Sequence, residues 1–356
     1  MSQQRQFPCP SCGAKFEFDP GAATLRCPYC EHVEEIPQSA EQVREMDFHR
    51  YFAAAEVTQE VIAGSACEVD CVACGASVDL PANVSADECP FCGTHLSNPA
   101  HQPKSVMKPQ AILPFAIEKR QALESLRNWI KGRWFAPNDF KKLAREGKME
   151  GMYVPYWTYD SYTISYYSGE RGDAYWVTVK DSQGNNRRER RVRWSHKRGR
   201  VDHFFDDVLV CASQGLPPKY IDKLEPWDLP NLVDAREDYL AGFRAERYQV
   251  DAKEGFAHAR VKMDSSIRGL VRRDIGGDEQ RIHSIRTQHE AVTFKHVLLP
   301  IWLTAYRYRN EPYRVLINAR TGEVQGERPW SWIKITLAVL AALAVAGIVA
   351  AVSQMK

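Results

Sequence analysis

The residues best suited to chemistry in this chain are eight cysteines, arranged as four C-x-x-C pairs: Cys9/Cys12, Cys27/Cys30, Cys71/Cys74 and Cys89/Cys92. Two cysteines two residues apart lie on one tight turn, so both sulfurs can face a single ion. Thiolate sulfur suits zinc, which takes four ligands in a tetrahedron. The glycine after Cys12, Cys74 and Cys92 supplies the positive φ that a compact knuckle needs; Cys30 is followed by Glu31 instead. Fourteen residues separate the two pairs of each set, enough for a short hairpin. The expectation is two closed four-cysteine sites holding two structural Zn2+ ions and leaving no position open for catalysis. Redox pairs or disulfides are the competing readings. No apolar export signal precedes Cys9, which favours a reducing compartment and metal. His32 and His95 follow the last cysteine of each set and are weaker ligand candidates. Cys67 aligns with Arg5 and so falls outside the ligand pattern, and Cys211 reads as a core residue.

The two sets are copies. A shift of 62 residues carries Cys9, Cys12, Cys27 and Cys30 onto Cys71, Cys74, Cys89 and Cys92, and also Gly13-Ala14 onto Gly75-Ala76 and Pro28 onto Pro90. The organisation expected from this repeat is zinc ribbon 1 over 1–37, a helical linker over 38–66, zinc ribbon 2 over 67–98 and a Pro-rich linker over 99–110. A larger α+β domain with antiparallel strands follows over 111–329. Within it, Ile112–Phe115 and Met152–Tyr167 read as strands, and Ile117–Gly132 as an amphipathic helix. Tyr175–Lys180 and Arg187–Trp194 flank a turn signal at 181–185, Asp234–Arg247 and Ala252–Arg273 read as helices, and Val297–Tyr308 with Tyr313–Asn318 reads as a final hairpin. Val154–Tyr159 and Leu299–Thr304 resemble one another at an offset of 145, through related halves or through chance.

The stretch 335–352 contains no charge. It predicts a single transmembrane helix over 333–352, because eighteen residues at 1.5 Å each span about 27 Å of a ~30 Å hydrocarbon core. Trp330 and Trp332 precede it, where an aromatic belt belongs. Arg320, Arg328 and Lys334 on its N-terminal flank predict a tail-anchored, single-pass protein of the plasma (inner) membrane, with its bulk in the cytoplasm.

Net charge is +2 over 356 residues, so global charge predicts no partner. Locally, Arg187, Arg188, Arg190, Arg191, Arg193, Lys197, Arg198 and Arg200 crowd one segment with a single glutamate. Anionic lipid head groups, nucleic acid or plain solvation all suit such an arm, with lipid ranked above nucleic acid. The chain contains no G-x-x-x-x-G-K-[ST], H-E-x-x-H or G-x-S-x-G string, and no catalytic residue is assigned. The expectation is a non-enzyme.

Taken together, CPSCGAKFEFDP with CPYC, CVACGASVDL with CPFCG, KGRWFAPNDFKK (131–142), GMYVPYWTYD (151–160), LAGFRAERYQVD (240–251) and HVLLPIWLTAYRY (296–308) resemble a group of bacterial membrane proteins. These carry N-terminal zinc ribbons of TFIIB-like or rubredoxin-like type, and some are encoded beside phage-shock-type or SPFH-domain membrane-stress proteins. The resemblance implies an adaptor that recruits protein partners to the membrane, in envelope stress. Members often carry a primosomal protein N′ or replication-restart helicase label; the helicase motor motif is missing here, and nucleic-acid binding linked to replication is the alternative.

Overall fold

The computed structural model describes residues 8–37, 43–55, 67–71, 77–80, 87–89, 95–96, 107–138, 149–180, 185–308 and 311–354. In chain order the strands are β1 (Glu17–Asp19), β2 (Thr24–Arg26), β3 (Val33–Glu35), β4 (Met46–Asp47), β5 (Cys67–Asp70), β6 (Ser77–Leu80), β7 (Asp87–Glu88), β8 (His95–Leu96), β9 (Ala111–Ile112), β10 (Met149–Lys180), β11 (Asn186–Cys211), β12 (Val233–Asp234), β13 (Arg244–Ala245), β14 (Glu279–Tyr308), β15 (Glu311–Asn318) and β16 (Val324–Gly326). The helices are α1 (Phe48–Ala55), α2 (Lys119–Lys131), α3 (Pro218–Ile221), α4 (Ala252–Ile275) and α5 (Trp332–Gln354). The class is α+β, as expected.

Three long strands dominate. β11, β10 and β14 lie side by side, antiparallel, at the head of a sheet that continues through β15 and β16. β10 alone has 32 residues, a contour of roughly 100 Å. The sequence divides it into two strands, 152–167 and 175–180; the structure joins them, because β11 pairs with it straight through Gly169 and Gly172 and β14 does so with a one-residue register shift at Ser168/Gly169. A Cβ on Gly169 would lie 2.3 Å from the Arg281 carbonyl oxygen, so glycine here permits close strand approach rather than marking a turn.

The proximal part of β10, from Met152 to Ser161, is buried on both faces. The resembling segments Val154–Tyr159 and Leu299–Thr304 belong here. Val154 pairs with Leu299, and the shared apolar pattern matches neighbouring strands covered on both sides. Beyond Ser161 only one face is covered. There Thr163, Ser165, Tyr167 and Gly169 are buried while Tyr162 and Tyr166 are exposed. The cover is α4, whose buried Gly255, Ala259, Met263, Ile267, Val271 and Ile275 recur every four residues. Such an i+4 row inclines across the helix and follows a twisted sheet. Asp251 caps α4 by accepting from the Lys253 and Glu254 N–H groups at 2.8 and 2.9 Å.

Two helix expectations change. Asp234–Arg247 contains only a 3-10 turn at Glu237–Leu240 between short strands. Gly242 at φ +84° breaks the helical path, and the segment is an edge: Ala241 accepts from Phe18 N–H at 3.0 Å, and β13 pairs parallel with β10. The 38–66 linker is helical over α1, while 56–66 lies outside the described residues. α1 docks on the sheet, with Phe48 packed against Phe294 and Phe256 at ring distances of 5.7 and 4.8 Å.

The expected hairpins over β10/β11 and β14/β15 are present, with Lys180 facing Asn186 and Tyr308 facing Glu311. α5 covers the expected span and is long and apolar enough to cross a membrane, with none of residues 332–349 buried.

Candidate metal centre and the surfaces around it

The first four cysteines converge. The sulfurs of Cys9, Cys12, Cys27 and Cys30 all lie within 4.8 Å of one another. Cys9 to Cys30 is 3.4 Å and Cys12 to Cys27 is 3.5 Å. A zinc tetrahedron with ~2.3 Å bonds has an edge of about 3.8 Å, so the set fits one ion, and the separations are far too long for disulfides.

Each knuckle is a local turn. Gly13, at φ +75°, donates to the Cys9 carbonyl at 2.8 Å, and Cys9 N–H donates to Ala14 at 2.6 Å. The second knuckle repeats this with Glu31 at φ +60°, which donates to Cys27 at 3.0 Å, while Cys27 N–H donates to His32 at 2.9 Å. Glu31 thus takes the left-handed position that glycine takes in the first knuckle. His32 lies outside the sulfur cluster and sits against Phe16 at 6.0 Å.

The thiols differ in acidity. The backbone N–H groups of Cys30 and Tyr29 draw the Cys27 thiol down to about 6. The His32 N–H pulls on Cys30 too, but burial and the sulfurs of Cys12, Cys9 and Cys27 outweigh it and leave that thiol at about 12. Four thiolates do not ionise together without positive charge among them, and a divalent ion bound by the four would supply it.

This unit is fused to the main body. Phe16, Phe18, Leu25 and Ile36 share a core with Phe115, Tyr153 and Trp302. Phe18 meets Tyr239 and Phe243 edge-on at 5.4 and 6.3 Å. The opposite side is open, with Tyr29 82% exposed and Val33 52%.

In the second set, Cys71 and Cys89 are both 1% exposed. Cys74 and Cys92 lie outside the described residues. The strand pairings nevertheless repeat the first set at the 62-residue offset. Asp87↔Leu96 and Glu88↔His95 correspond to Leu25↔Glu34 and Arg26↔Val33, and Asp70↔Ser77 corresponds to the Pro8↔Lys15 bridge. Cys67 opens β5 opposite Leu80. Cys211 is half-buried, and burial first of all pushes its thiol up to about 12.

The basic arm lies along β11. Arg190 pairs with Glu279 at 2.5 Å, Arg191 with Glu189 at 3.1 Å and Arg200 with Asp202 at 2.7 Å. The Arg193 guanidinium lies 5.6 Å from the Tyr175 ring centre and that of Arg200 5.8 Å from Tyr166. Among the described residues no acidic partner pairs with Arg187, Arg188, Arg193, Lys197 or Arg198. The arm is therefore partly neutralised, with five exposed cations outside its ion pairs.

One charged cluster escapes sequence reasoning. Opposite Asp160 and Ser161 of β10, β11 and β14 each carry one extra residue, a bulge on either side, and Asp207 and Ala291 within those bulges take positive φ. There the Lys295 amine meets Asp207 at 2.8 Å and Glu45 at 3.0 Å. Thr293 donates to Glu45 at 2.7 Å and Asp160 at 3.1 Å, and Asp207 N–H donates to Asp160 at 2.7 Å. Burial, then the proton shared with Glu45, pushes Asp160 up to about 7. Hydrogen bonding to Asp160 in turn holds Glu45 down at about 2. Only the bulged register joins residues from four segments, a signal that spacing along the chain does not carry.

No protein-family model matches the chain, and no solved structure matches it. It is similar to the uncharacterized protein YdjG of Bacillus subtilis (strain 168), at 26% identity over 339 residues covering 91% of this chain and 90% of that protein.

Proposed function

We propose that the protein is a membrane-anchored zinc-ribbon adaptor. In this reading α5 spans the inner membrane once, the remainder lies in the cytoplasm, and two four-cysteine sites each hold a structural zinc. Cys71, Cys74, Cys89 and Cys92 form the second site, a reading supported by the repeated strand register. The partners are proteins of phage-shock or SPFH type that answer envelope stress. The observation that carries the reading is the ribbon itself: a closed four-sulfur centre fixed to the core on one side, with an exposed Tyr29/Val33 tip on the other. A closed shell has no catalytic position, and a rigid tip with exposed apolar side chains suits protein recognition. Affinity purification of the full chain from detergent-solubilised membranes is expected to recover a specific protein that a Tyr29→Ser/Val33→Ser variant loses. Identical recoveries from both would remove the proposal.

A second reading, nucleic-acid binding, has its own observation. Tyr162, Tyr166 and Phe204 are exposed beside Arg198 and Arg200, and Trp176 is exposed opposite Arg190; aromatic rings interleaved with cations can stack bases. The three ion pairs on the arm weaken its field. Anisotropy titration with single-stranded DNA and RNA across a salt series decides it: a salt-dependent shift abolished by charge reversal at Arg188 and Arg198 supports this reading, and no shift at physiological salt removes it.

A further inference from the structure

The body meets α5 through more than the chain connection. Ser331 N–H donates to the Phe135 carbonyl at 2.8 Å. The Lys334 amine donates to the carbonyls of Trp134 and Ala136 at 3.2 and 2.9 Å, and to Asn138 Oδ1 at 2.8 Å. A loop far from α5 in sequence is thus tied to its first turn by a side chain of α5 itself.

That loop runs down beside the helix. Phe135 and Trp330 line a crevice of about 400 Å³ whose other wall is Ile335, Ala338, Val339 and Ala342. These helix residues are three or four apart and form one face. At 1.5 Å per residue, Lys334 lies only about 3 Å along the axis from Trp332. The Trp134 and Ala136 carbonyls that Lys334 binds therefore lie at the depth of the helix entrance.

The exposed side chains at this level match a bilayer boundary. Trp134 is 63% exposed, Trp330 53% and Trp332 77%. Indole is amphipathic and prefers the head-group layer to either water or hydrocarbon. Cations stand with them: the Arg328 guanidinium lies 4.3 Å from the Trp330 ring centre, and that of Arg133 lies 4.6 Å from Trp129. Lys131 is exposed nearby.

We propose that loop 133–136 is a second membrane contact. Trp134 inserts at the boundary between head groups and acyl chains beside α5, and Arg133 and Arg328 face lipid phosphates. The occupant of this surface is lipid because it continues the surface of α5. With the foot in place the body cannot swing freely on a single helix, so the bilayer sets the direction in which the ribbons point. The inference rests on the reading of α5 as a span.

The test uses the full chain in nanodiscs whose phosphatidylcholine carries bromines near the top of the acyl chains, a shallow quencher of indole emission. Wild type, Trp134→Phe and Trp330→Phe/Trp332→Phe are compared. Phenylalanine keeps the ring packing of Trp134 on Phe135, which is at 5.2 Å. With three tryptophans at the boundary, Trp134→Phe is expected to remove about one third of the quenchable emission. If the double variant loses quenching and Trp134→Phe does not, the foot is wrong and the span survives. Absence of quenching in wild type overturns the span and the foot with it.

Discussion

Proximal and distal halves of the long sheet are built from the same three strands and reach opposite outcomes. Near Met152–Ser161 both faces are covered: by the first cysteine unit and α2 at Tyr153, by α4 and α1 at Trp157 and Tyr159, and by short strands and turns on the other face. Beyond the bulges opposite Asp160 and Ser161, among the described residues only α4 lies on the sheet, and the other face carries Tyr162, Tyr166, Arg198 and Arg200 into solvent. Strand pairing runs through both halves, with one further register shift on the β14 side at Ser168/Gly169. Backbone hydrogen bonding therefore does not set the difference; side-chain cover does. The proximal half should respond to substitution as a core, the distal half as a surface with one supporting helix.

The largest effect is expected where the metal centre joins the proximal core. Cys9 is 2% exposed and belongs to the cluster that contains Phe115 and Trp302. If the proposed zinc is bound there, Cys9→Ser removes one of its four ligands and opens the ribbon. Metal analysis should show one ion fewer per chain, and stability should fall by more than about 4 kcal/mol. Unchanged metal content would separate the cysteine cluster from metal binding altogether. A substitution where α1 meets the sheet, in a separate cluster, tests an apolar contribution alone. Phe294 is 1% exposed and touches Phe48, Tyr51, Phe52, Trp157 and Tyr159. Phe294→Ala should cost about 3–5 kcal/mol in chemical denaturation and release α1. A cost under about 1 kcal/mol would mean that α1 does not dock there.

The bulge also sets a pH response. Asp160 sits at about 7 when folded, against an ordinary carboxyl near 4. The folded protein keeps a proton that the unfolded chain releases. This contribution is complete below about pH 4 and is lost as pH rises through about 7. Glu45, held at about 2, acts in the opposite sense: its contribution is present above about pH 4.5 and lost as pH falls through about 2. Asp160→Asn mimics the protonated carboxyl. Urea midpoints of the wild type should decline between about pH 5 and pH 8, and those of the variant should stay flatter. Parallel curves would exclude Asp160 as the source.

Local chemistry was legible in the sequence and long-range register was not. The knuckles at Cys9–Gly13 and Cys27–Glu31 are turns of five residues, so cysteine spacing suffices to place their sulfurs together. α2 showed itself through Leu123, Leu126 and Ile130 on one face; the structure buries Leu126 and Ile130, with Ala122 in place of Leu123. The continuous β10 was hidden because Gly169 and Gly172 carry a turn signal that close strand packing explains equally well. The segment 234–247 carries helical periodicity, yet Phe18 from β1 needs its Ala241 carbonyl and overrides the local preference. The Glu45/Asp160/Asp207/Lys295 cluster depends on the bulged register at Asp160, and no pattern along the chain announces a bulge.

The smallest effects belong to the distal arm, and they bear on what its cations are for. Arg190 and Glu279 are each about two-fifths exposed, and an ion pair in that setting is worth at most about 1 kcal/mol, less in salt. Arg190→Ala should therefore lower stability slightly at low ionic strength and not at high. Arg198 has no acidic partner among the described residues, and Arg198→Ala should stay within about 0.5 kcal/mol of wild type at any salt. Thermal melts of the two variants across a salt series compare a paired with an unpaired arginine on one strand. A large loss at Arg198 would mean that the distal face is covered, and the contrast between the halves would fail. A null result leaves Arg198 without a part in stability, so any binding lost with it reports recognition rather than unfolding.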